Sequence, residues 1–333
     1  MEFQHPLVIV NPASAAGTTH RRFLQLEPRL RRLFPAMEVA VTQGPLHAVD
    51  LAAEAARDDP RRETPVDLVI AFGGDGTLNE VVTGLLSGRE AGSEPPVLAV
   101  FPSGTGGDFR RLLGLSADSE GLLACLCGGV VRPVDAGFLE YEGPAGDRVS
   151  RPFLNIASCG ISGLVDRYVN STTKVFGGRV SFFAGTLRGM VRYQNVAMRV
   201  RVDGTEFFEG PAALVAVANG RFFGGGMMIA PRAVLDDGLL DVVVLGDLGK
   251  VEFLSLSRFI YSGRHLDRPK IGTARGTQVE VASEAEALID LDGEQVGRLP
   301  FRASVLRAAI RLLVPGPTAP FTPARGVFAL HGN

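Results

Sequence analysis

Three short stretches of the chain combine small and polar residues in a way that suits the binding of phosphate groups. They read NPASAAG, GGDGT and PSGTGGDF, and each follows an apolar run of the length of a strand. Small residues let a ligand approach the backbone closely, so that N–H groups can donate to phosphate oxygens. The loops lack the lysine of a Walker loop and the G-x-G-x-x-G spacing, so neither standard nucleotide motif applies.

Asp75, in the middle of GGDGT, is the unusual residue of these loops. A carboxylate among phosphate-binding glycines would repel phosphate unless a cation such as Mg²⁺ lies between them, or a substrate hydroxyl gives up its proton there. Read singly, each loop is also explained as an ordinary turn between a strand and a helix, where Gly and Ser are common. Three such loops favour a ligand site over three unrelated turns.

The elements around the loops alternate between strands and helices over the first 130 or so residues. PLVIVNP, VDLVIAF and PVLAVFP read as strands, and VDLVIAF is continuous enough to be buried on both faces. THRRFLQLEPRLRRLF has helical spacing, with Pro28 expected to break or kink the helix. The order predicts a Rossmann-like parallel sheet with helices on both faces, whose three loops gather at the carboxyl edge, where ligands bind.

After about Val131 the pattern changes to many strands separated by Gly and Asp-Gly turns, which predicts a mainly antiparallel β-sandwich. Only SFFAGTLRGMVRY and KVEFLSLSRFIYSG read as substantial helices there, and FRASVLRAAIRLLVP fits either a helix or a returning strand. The predicted domains are an α/β domain (1–132, with 303–315 as a candidate addition), a β-rich domain (133–302) and a Pro-rich tail (316–333).

The composition is that of a globular protein, with 46% apolar and 21% charged residues. A formal net charge of −2 argues against binding of nucleic acid through bulk positive charge. Cys125, Cys127 and Cys159 indicate neither a disulfide framework nor a zinc site. Because we find neither a secretory signal nor an apolar run of about 20 residues, we expect a cytoplasmic protein.

Together the loops resemble the catalytic domain of diacylglycerol and sphingosine kinases, and in particular that of the bacterial lipid kinases. The resemblance is carried by GGDGTLNEVVTGLL, by NPASAAG and PSGTGGDFRR, and by ANGRFFGGGMMIAPRAVLDDGLLDVVVL and DLDGEQVG in the second half. It runs from about Leu7 to Pro315. It implies an ATP-dependent lipid kinase with an active site in the cleft between the two domains.

The resemblance also implies that the phosphates and ribose of ATP lie across the loops of the first domain. Amides and hydroxyl groups would donate to the phosphates without adding charge. Asp75 would organise either phosphate-bound Mg²⁺ or the attacking hydroxyl group, and Asp108 would contact the substrate. The nucleotide-binding residues implied in this way are Asn11, Thr42, Gly73, Gly74, Asp75, Gly76, Thr77, Leu78, Asn79 and Thr105.

Glu294, in DLDGE, matches the position of the family's proton acceptor. Phosphoryl transfer needs an in-line hydroxyl group, a cation that spreads the phosphate charge, and a group that takes the hydroxyl proton. Asp292 would face the same side as Glu294 if the segment were extended, so it is a further predicted catalytic group. Asp-Gly equally favours a plain hairpin turn, and such a turn could itself present Glu294.

The stretch AVLDDGLLD resembles a segment that holds a second, structural Mg²⁺ in bacterial relatives. The matching ligands are the carboxylate of Asp237 and the main-chain carbonyl groups of Val234 and Leu239, a sparse oxygen set that leaves room for water. Without the resemblance, Asp236 and Asp237 read as turn residues before a strand.

Two residues depart from the family pattern. Gly107 stands where the family usually has Asn, so a side-chain amide is missing, and Leu46 stands where it usually has Gly, beside Thr42. Neither change removes a predicted charge-bearing catalytic group, so we still expect activity.

Two stretches are candidates for contact with the lipid. The segment 166–193 mixes Phe, Leu and Met with Arg and Lys, which suits an anionic membrane surface, although an amphipathic core helix is the commoner explanation. RFFGGGMMIAP could line a cleft for an acyl chain or belong to the core. Diacylglycerol is the most economical acceptor, with sphingoid bases, ceramide and other lipid alcohols as alternatives, and a homodimer is left open.

Two other functions are left open by the sequence. NAD kinases share GGDGT, but their dinucleotide acceptor would need more polar contacts in the second domain than RFFGGGMM offers. A non-catalytic nucleotide sensor would bind ATP without turnover and would be expected to lack the motif carboxylates. The presence of Asp75, Asp237 and Glu294 favours an enzyme.

Overall fold

The computed structural model describes most of the chain, namely residues 3–57, 64–89, 94–103, 107–115, 118–143, 145–163 and 193–316. Within these ranges, strands from both halves join in one sheet of 15 strands, and a separate two-stranded hairpin lies beside it. Several predicted features lie outside the described residues, namely Thr105, the candidate membrane-contact segment and the helix SFFAGTLRGMVRY within it (both as far as residue 192), and the tail from residue 317.

The first part of the chain forms the predicted α/β arrangement. Four parallel strands lie in the order β4-β3-β1-β2. β1, β3 and β4 are buried, with Leu68–Gly73 in the centre buried along its whole length, whereas the edge strand β2 is partly exposed. The strands are β1 (Pro6–Val10), β2 (Glu38–Val41), β3 (Leu68–Gly73) and β4 (Val97–Pro102), and the helices are α1 (Thr18–Leu33), α2 (His47–Ala56), α3 (Asp75–Gly88), α4 (Asp108–Leu113) and α5 (Ser119–Gly128).

Pro28 lies inside α1, and the expected break is wrong because the helix continues without interruption to Leu33. Proline removes one helical hydrogen bond. The buried side chains of Phe23, Leu26 and Leu30 anchor α1 on the core on both sides of this position, so packing outweighs the lost bond.

The second part is mainly antiparallel, as predicted. Its inner strands form the path β14-β13-β10-β7-β16-β17, and β8 pairs with β9 and β15. Its elements are β5 (Val130–Glu142), β6 (Arg148–Phe153), β7 (Ile156–Gly160), β8 (Val196–Val202), β9 (Thr205–Ala212), β10 (Leu214–Ala218), β11 (Phe222–Phe223), β12 (Met227–Met228), β13 (Leu240–Leu245), α6 (Lys250–Tyr261), β14 (Ile271–Gly276), β15 (Gln278–Ala282), β16 (Leu288–Leu291) and β17 (Glu294–Val314).

Two long strands connect the two parts. FRASVLRAAIRLLVP is a strand, the end of β17, which runs antiparallel to β5 and reaches β4 through the pair Leu312 and Leu98. The predicted domain boundaries at 132/133 and 302/303 fall inside β5 and β17, and the division itself stays a prediction. Because both strands start or end beside the α/β sheet, they bring the β-rich part close to the glycine loops. No described helix is long and apolar enough to cross a membrane.

Candidate active site

The GGDGT loop lies at the end of β3 and the start of α3. Gly73 is the last residue of the strand and Asp75 the first of the helix. Gly73 is required by space, because a Cβ there would lie 2.5 Å from Thr77 Oγ1. Thr77 Oγ1 also accepts a hydrogen bond from Asn11 Nδ2 at 2.9 Å, which joins the first loop to the second. The N-terminus of α3 therefore lies at this edge of the sheet, where an anion is favoured.

Asp75 is held by the third loop. Its Oδ2 accepts hydrogen bonds from the backbone N–H of Gly107 at 2.9 Å and of Asp108 at 3.4 Å. Burial raises the pKa of Asp75, although these amides act in the opposite direction. Burial also raises the pKa of Asp108 to about 6, and the nearby charge of Asp75 adds to the shift. Two enclosed carboxylates that repel each other would be stabilised by a cation.

Asp108 in turn connects the loop to the β11–β12 hairpin. Its Oδ2 accepts from the N–H of Gly225, at the tip of the hairpin, at 2.8 Å, and its Oδ1 accepts from Arg111 Nη1 at 2.8 Å. Phe222 and Phe223 pair with Met228 and Met227, and all four side chains are half-buried. The predicted apolar stretch therefore lies directly beside the glycine loops.

Glu294 meets the GGDGT loop. It is the first residue of β17, and a Cβ built on Gly76 would lie only 3.3 Å from Glu294 Oε1. Its side chain is 47% exposed, so that a substrate can reach it. The two predicted halves of the site, separated by more than 200 residues in sequence, are therefore adjacent.

Asp292 does not face the same side as Glu294, because Asp292 and Gly293 form a turn with φ of +50° and +91° rather than extended backbone. Its carboxylate accepts four hydrogen bonds, from Asn79 Nδ2 and from the backbone N–H groups of Leu154, Asn155 and Ile156. Enclosure raises the pKa of Asp292 while these donors oppose the shift. The expectation of a shared side is corrected: the turn presents Glu294 and turns Asp292 inward, where it joins α3 to β7.

Comparison with known proteins agrees with this geometry. Residues 5–139 match the diacylglycerol kinase catalytic domain, and residues 155–314 match the YegS C-terminal NAD kinase beta sandwich-like domain. The chain therefore combines a diacylglycerol kinase catalytic domain with a YegS-type C-terminal domain. Its class of activity is that of a diacylglycerol kinase-like lipid kinase.

Individual relatives cover nearly the whole chain. A diacylglycerol kinase of Bacillus subtilis (strain 168) is 29% identical over 314 residues, which are 92% of this chain and 95% of the relative. A Stenotrophomonas maltophilia (strain K279a) protein named "Probable lipid kinase YegS-like" is 29% identical and covers 75% of this chain and 79% of its own. The crystal structure of a diacylglycerol kinase from Bacillus anthracis str. Sterne superposes with a TM-score of 0.70 at 25% identity, covering 94% of this chain and 98% of that one.

The other predicted nucleotide contacts lie around this kinase-family loop with different exposure. Asn79 and Thr77 are buried in the first turns of α3, and Leu78 lines a small pocket at the end of β3 together with Gly73, Gly74 and Asp75. Thr42 is also buried, and its N–H donates to Val10. Leu46, four residues further along the chain, has a φ of +64°, the left-handed conformation that favours glycine.

Two arginines of the site were missed by sequence reasoning. Arg110 lines the cleft, and a Cβ on Gly107 would lie 3.2 Å from its Nε, so that its guanidinium group lies where a larger side chain at 107 would project. Arg151, on β6, contacts Glu294 and Asn79. The position of Arg110, directly after DF in the third loop, was a usable signal, whereas nothing in the sequence marks Arg151.

The predicted structural Mg²⁺ site does not fit the residues as they lie. Asp237 Oδ2 forms an ion pair with Arg275, and Asp237 Oδ1 accepts from the N–H of Leu239 at 3.1 Å. Arg275 Nε also binds Asp241 at 3.2 Å. Among the described residues, no three His, Cys, Asp or Glu side chains gather as metal ligands. An arginine thus neutralises Asp237, and the assignment of Val234, Asp237 and Leu239 to a metal stays a prediction without support.

Proposed function

We propose that the protein transfers the γ-phosphoryl group of ATP to the hydroxyl group of a lipid alcohol, with diacylglycerol, which would give phosphatidic acid, as the first candidate. The observation that carries the proposal is the approach of Glu294 Oε1 to Gly76 of the GGDGT loop. A proton acceptor at the phosphate-binding loop is the arrangement that in-line transfer to a hydroxyl requires.

ATP would bind along the edge of the α/β sheet. The backbone amides at the start of α3 would hold its phosphates, and Arg110 would add positive charge beside them. The Mg²⁺ that accompanies ATP would lie beside Asp75, where it would relieve the repulsion between Asp75 and Asp108 and spread the phosphate charge. We therefore assign Asp75 to the cation rather than to the acceptor proton.

Glu294 would take the proton from the acceptor hydroxyl group. It is half-exposed, and its carboxylate lies at the loop. Asp292 is a poorer acceptor, because four N–H donors already bind its two oxygens. We propose that Asp292 positions the turn that presents Glu294.

The β11–β12 hairpin would guide the lipid. Its half-buried Phe and Met side chains offer an apolar surface, and Asp108 holds its tip beside Asp75. An acceptor with a polar head and an apolar tail fits this combination better than a dinucleotide does. Contact with an anionic membrane surface belongs to the same proposal, and sedimentation with anionic liposomes tests it.

The experiment is a phosphorylation assay with γ-labelled ATP and a panel of diacylglycerol, sphingoid base, ceramide and NAD, with the product identified by mass. Glu294→Gln is expected to lower kcat on the preferred lipid by about 10²-fold or more. Glu142→Gln is a matched control, because Glu142 is also half-exposed and paired with an arginine, and it should retain activity.

Each rival function predicts a different result in this assay. Phosphorylation of NAD alone would identify a dinucleotide kinase, and ATP binding without turnover of any acceptor would identify a nucleotide sensor. Full activity of Glu294→Gln on the true substrate would refute the assignment of the proton acceptor.

A further inference from the structure

Arg151 connects the two halves of the proposed site. It lies on β6, and its Nη1 and Nη2 each contact Glu294 Oε2 at 3.3 Å. Nη2 also donates to Asn79 Oδ1, in α3, at 3.0 Å. One planar guanidinium group therefore contacts both the helix that follows the GGDGT loop and the proposed proton acceptor.

The partners of Arg151 are themselves held in place. Asn79 Nδ2 donates to the carbonyl group of Pro152 at 3.1 Å and to Asp292 Oδ2 at 3.0 Å, so its amide orientation is determined by these bonds. Burial raises the pKa of Tyr141, on β5, and the positive charge of the nearby Arg151 opposes this rise. The side chain of Arg151 is 20% exposed, less than half as exposed as that of Glu294.

Glu294 needs such a support. It follows a tight turn, and a half-exposed glutamate has several rotamers available, most of which would move its carboxylate away from the loop. Catalysis is sensitive to this, since a misplacement of about 1 Å can reduce a rate about 10²-fold. Removal of Arg151 also takes the donor from Asn79 Oδ1, so the test must separate a loss of stability from a loss of kcat.

We propose that Arg151 is a positioning residue that holds the Glu294 carboxylate against the nucleotide loop and couples its place to α3 through Asn79. The inference rests on the proposed function, in which Glu294 accepts the proton of the acceptor hydroxyl group. Arg151 acts through Glu294 and not by contact with the reacting atoms.

The test is a double-mutant cycle between Arg151→Met and Glu294→Gln. Arg151→Met should lower kcat by about 10- to 100-fold and leave KM for ATP within about threefold, because the nucleotide loop is unchanged. In the Glu294→Gln background, Arg151→Met should lower kcat further by less than about twofold. Arg151→Lys, which keeps the charge without the planar fork, should recover part of kcat.

Arg148→Met is the matched control, because Arg148 lies on the same strand and also pairs with a glutamate, Glu140, but is 81% exposed. It should keep wild-type kcat. If the two substitutions lowered kcat by factors that multiply in the double variant, the inference would be overturned, and a direct contact of Arg151 with the phosphoryl group would be indicated.

A crystal structure of the Arg151→Met variant gives a readout that does not depend on the substrate. Glu294 should leave its place beside Gly76, and an unmoved Glu294 would overturn the inference. If the wild-type protein phosphorylates no lipid, or if Glu294→Gln is fully active, the proposed function fails instead, whatever this structure shows.

Discussion

Gly76→Ala probes the point where the two halves of the site meet. Gly76 lies in the first turn of α3, and among the described residues the added methyl group would contact Glu294 Oε1 alone, at 3.3 Å. Ordinary contacts are slightly longer, so the carboxylate must retreat by a few tenths of an ångström, which its flexible side chain allows. A shift of that size should lower kcat by about 3- to 10-fold, given a loss of about 10²-fold per 1 Å.

The stability of Gly76→Ala, unlike its kcat, should not fall. Alanine is preferred over glycine in a helix by about 0.5–1 kcal/mol, so Gly76→Ala should melt at the same temperature as the wild-type protein or about 2 °C higher. Gly128→Ala, in α5, is the matched control, because no atom of the described part of the chain lies within 4 Å of a Cβ at that position, and it should keep full activity.

The measurements are thermal melting and initial rates of lipid phosphorylation at saturating ATP, with KM for ATP measured separately. A raised KM with an unchanged kcat would mean that the methyl group obstructs the nucleotide and not Glu294. Loss of kcat should vanish in the Glu294→Gln background. Wild-type kcat in Gly76→Ala, or a large fall in melting temperature, would refute the inferred contact between Gly76 and Glu294.

Three further predictions follow from the backbone and the charges. Gly73→Ala should lower the free energy of unfolding by about 1–3 kcal/mol in chemical denaturation, because its Cβ would overlap Thr77; unchanged stability would contradict the geometry of the loop. Leu46→Gly should raise the free energy of unfolding by about 0.5–1 kcal/mol, because the left-handed conformation costs leucine about 1–2 kcal/mol and the side chain is 60% exposed. A lower free energy of unfolding in this variant would show that the φ of Leu46 is not strained. The pKa of Asp108 rises from 3.8 to about 6 on folding, so protonated Asp108 stabilises the fold below pH 4, and this contribution, at most about 3 kcal/mol, is lost as the pH rises to about 6. Asp108→Asn should flatten the dependence of the unfolding free energy on pH between about pH 4 and 6. An unchanged slope would show that Asp108 is not the group whose pKa rises on folding.

Much of the first domain could be predicted from local patterns. The apolar run of β3 had to be buried on both faces, and the glycine-rich loop after it had to turn into a helix, as Gly73 and Asp75 do. The prediction failed at Pro28, where tertiary packing holds a helix that the local rule would break. FRASVLRAAIRLLVP was ambiguous because its apolar residues fit either period, and pairing with β5 decides for a strand.

The candidate site was only partly predictable. Asp75 and Glu294 carried motif signals, and the structure places Glu294 at the loop. The inward turn of Asp292 and the ion pair of Asp237 with Arg275 depend on partners from distant strands. Arg151 gave no signal, because its function depends on two side chains that lie 72 and 143 residues away in the chain.

The sequence by itself therefore determined the elements and the chemistry of the loops, because hydrophobic periodicity and the steric freedom of glycine act over a few neighbouring residues. The tertiary structure alone decided which carboxylate faces the cleft and which is enclosed. That choice follows from the turn between β16 and β17, which presents Glu294 and directs Asp292 inward, and from the pairing of β6, which carries Arg151, with β5. Such contacts join residues far apart in the chain, and no local pattern records them.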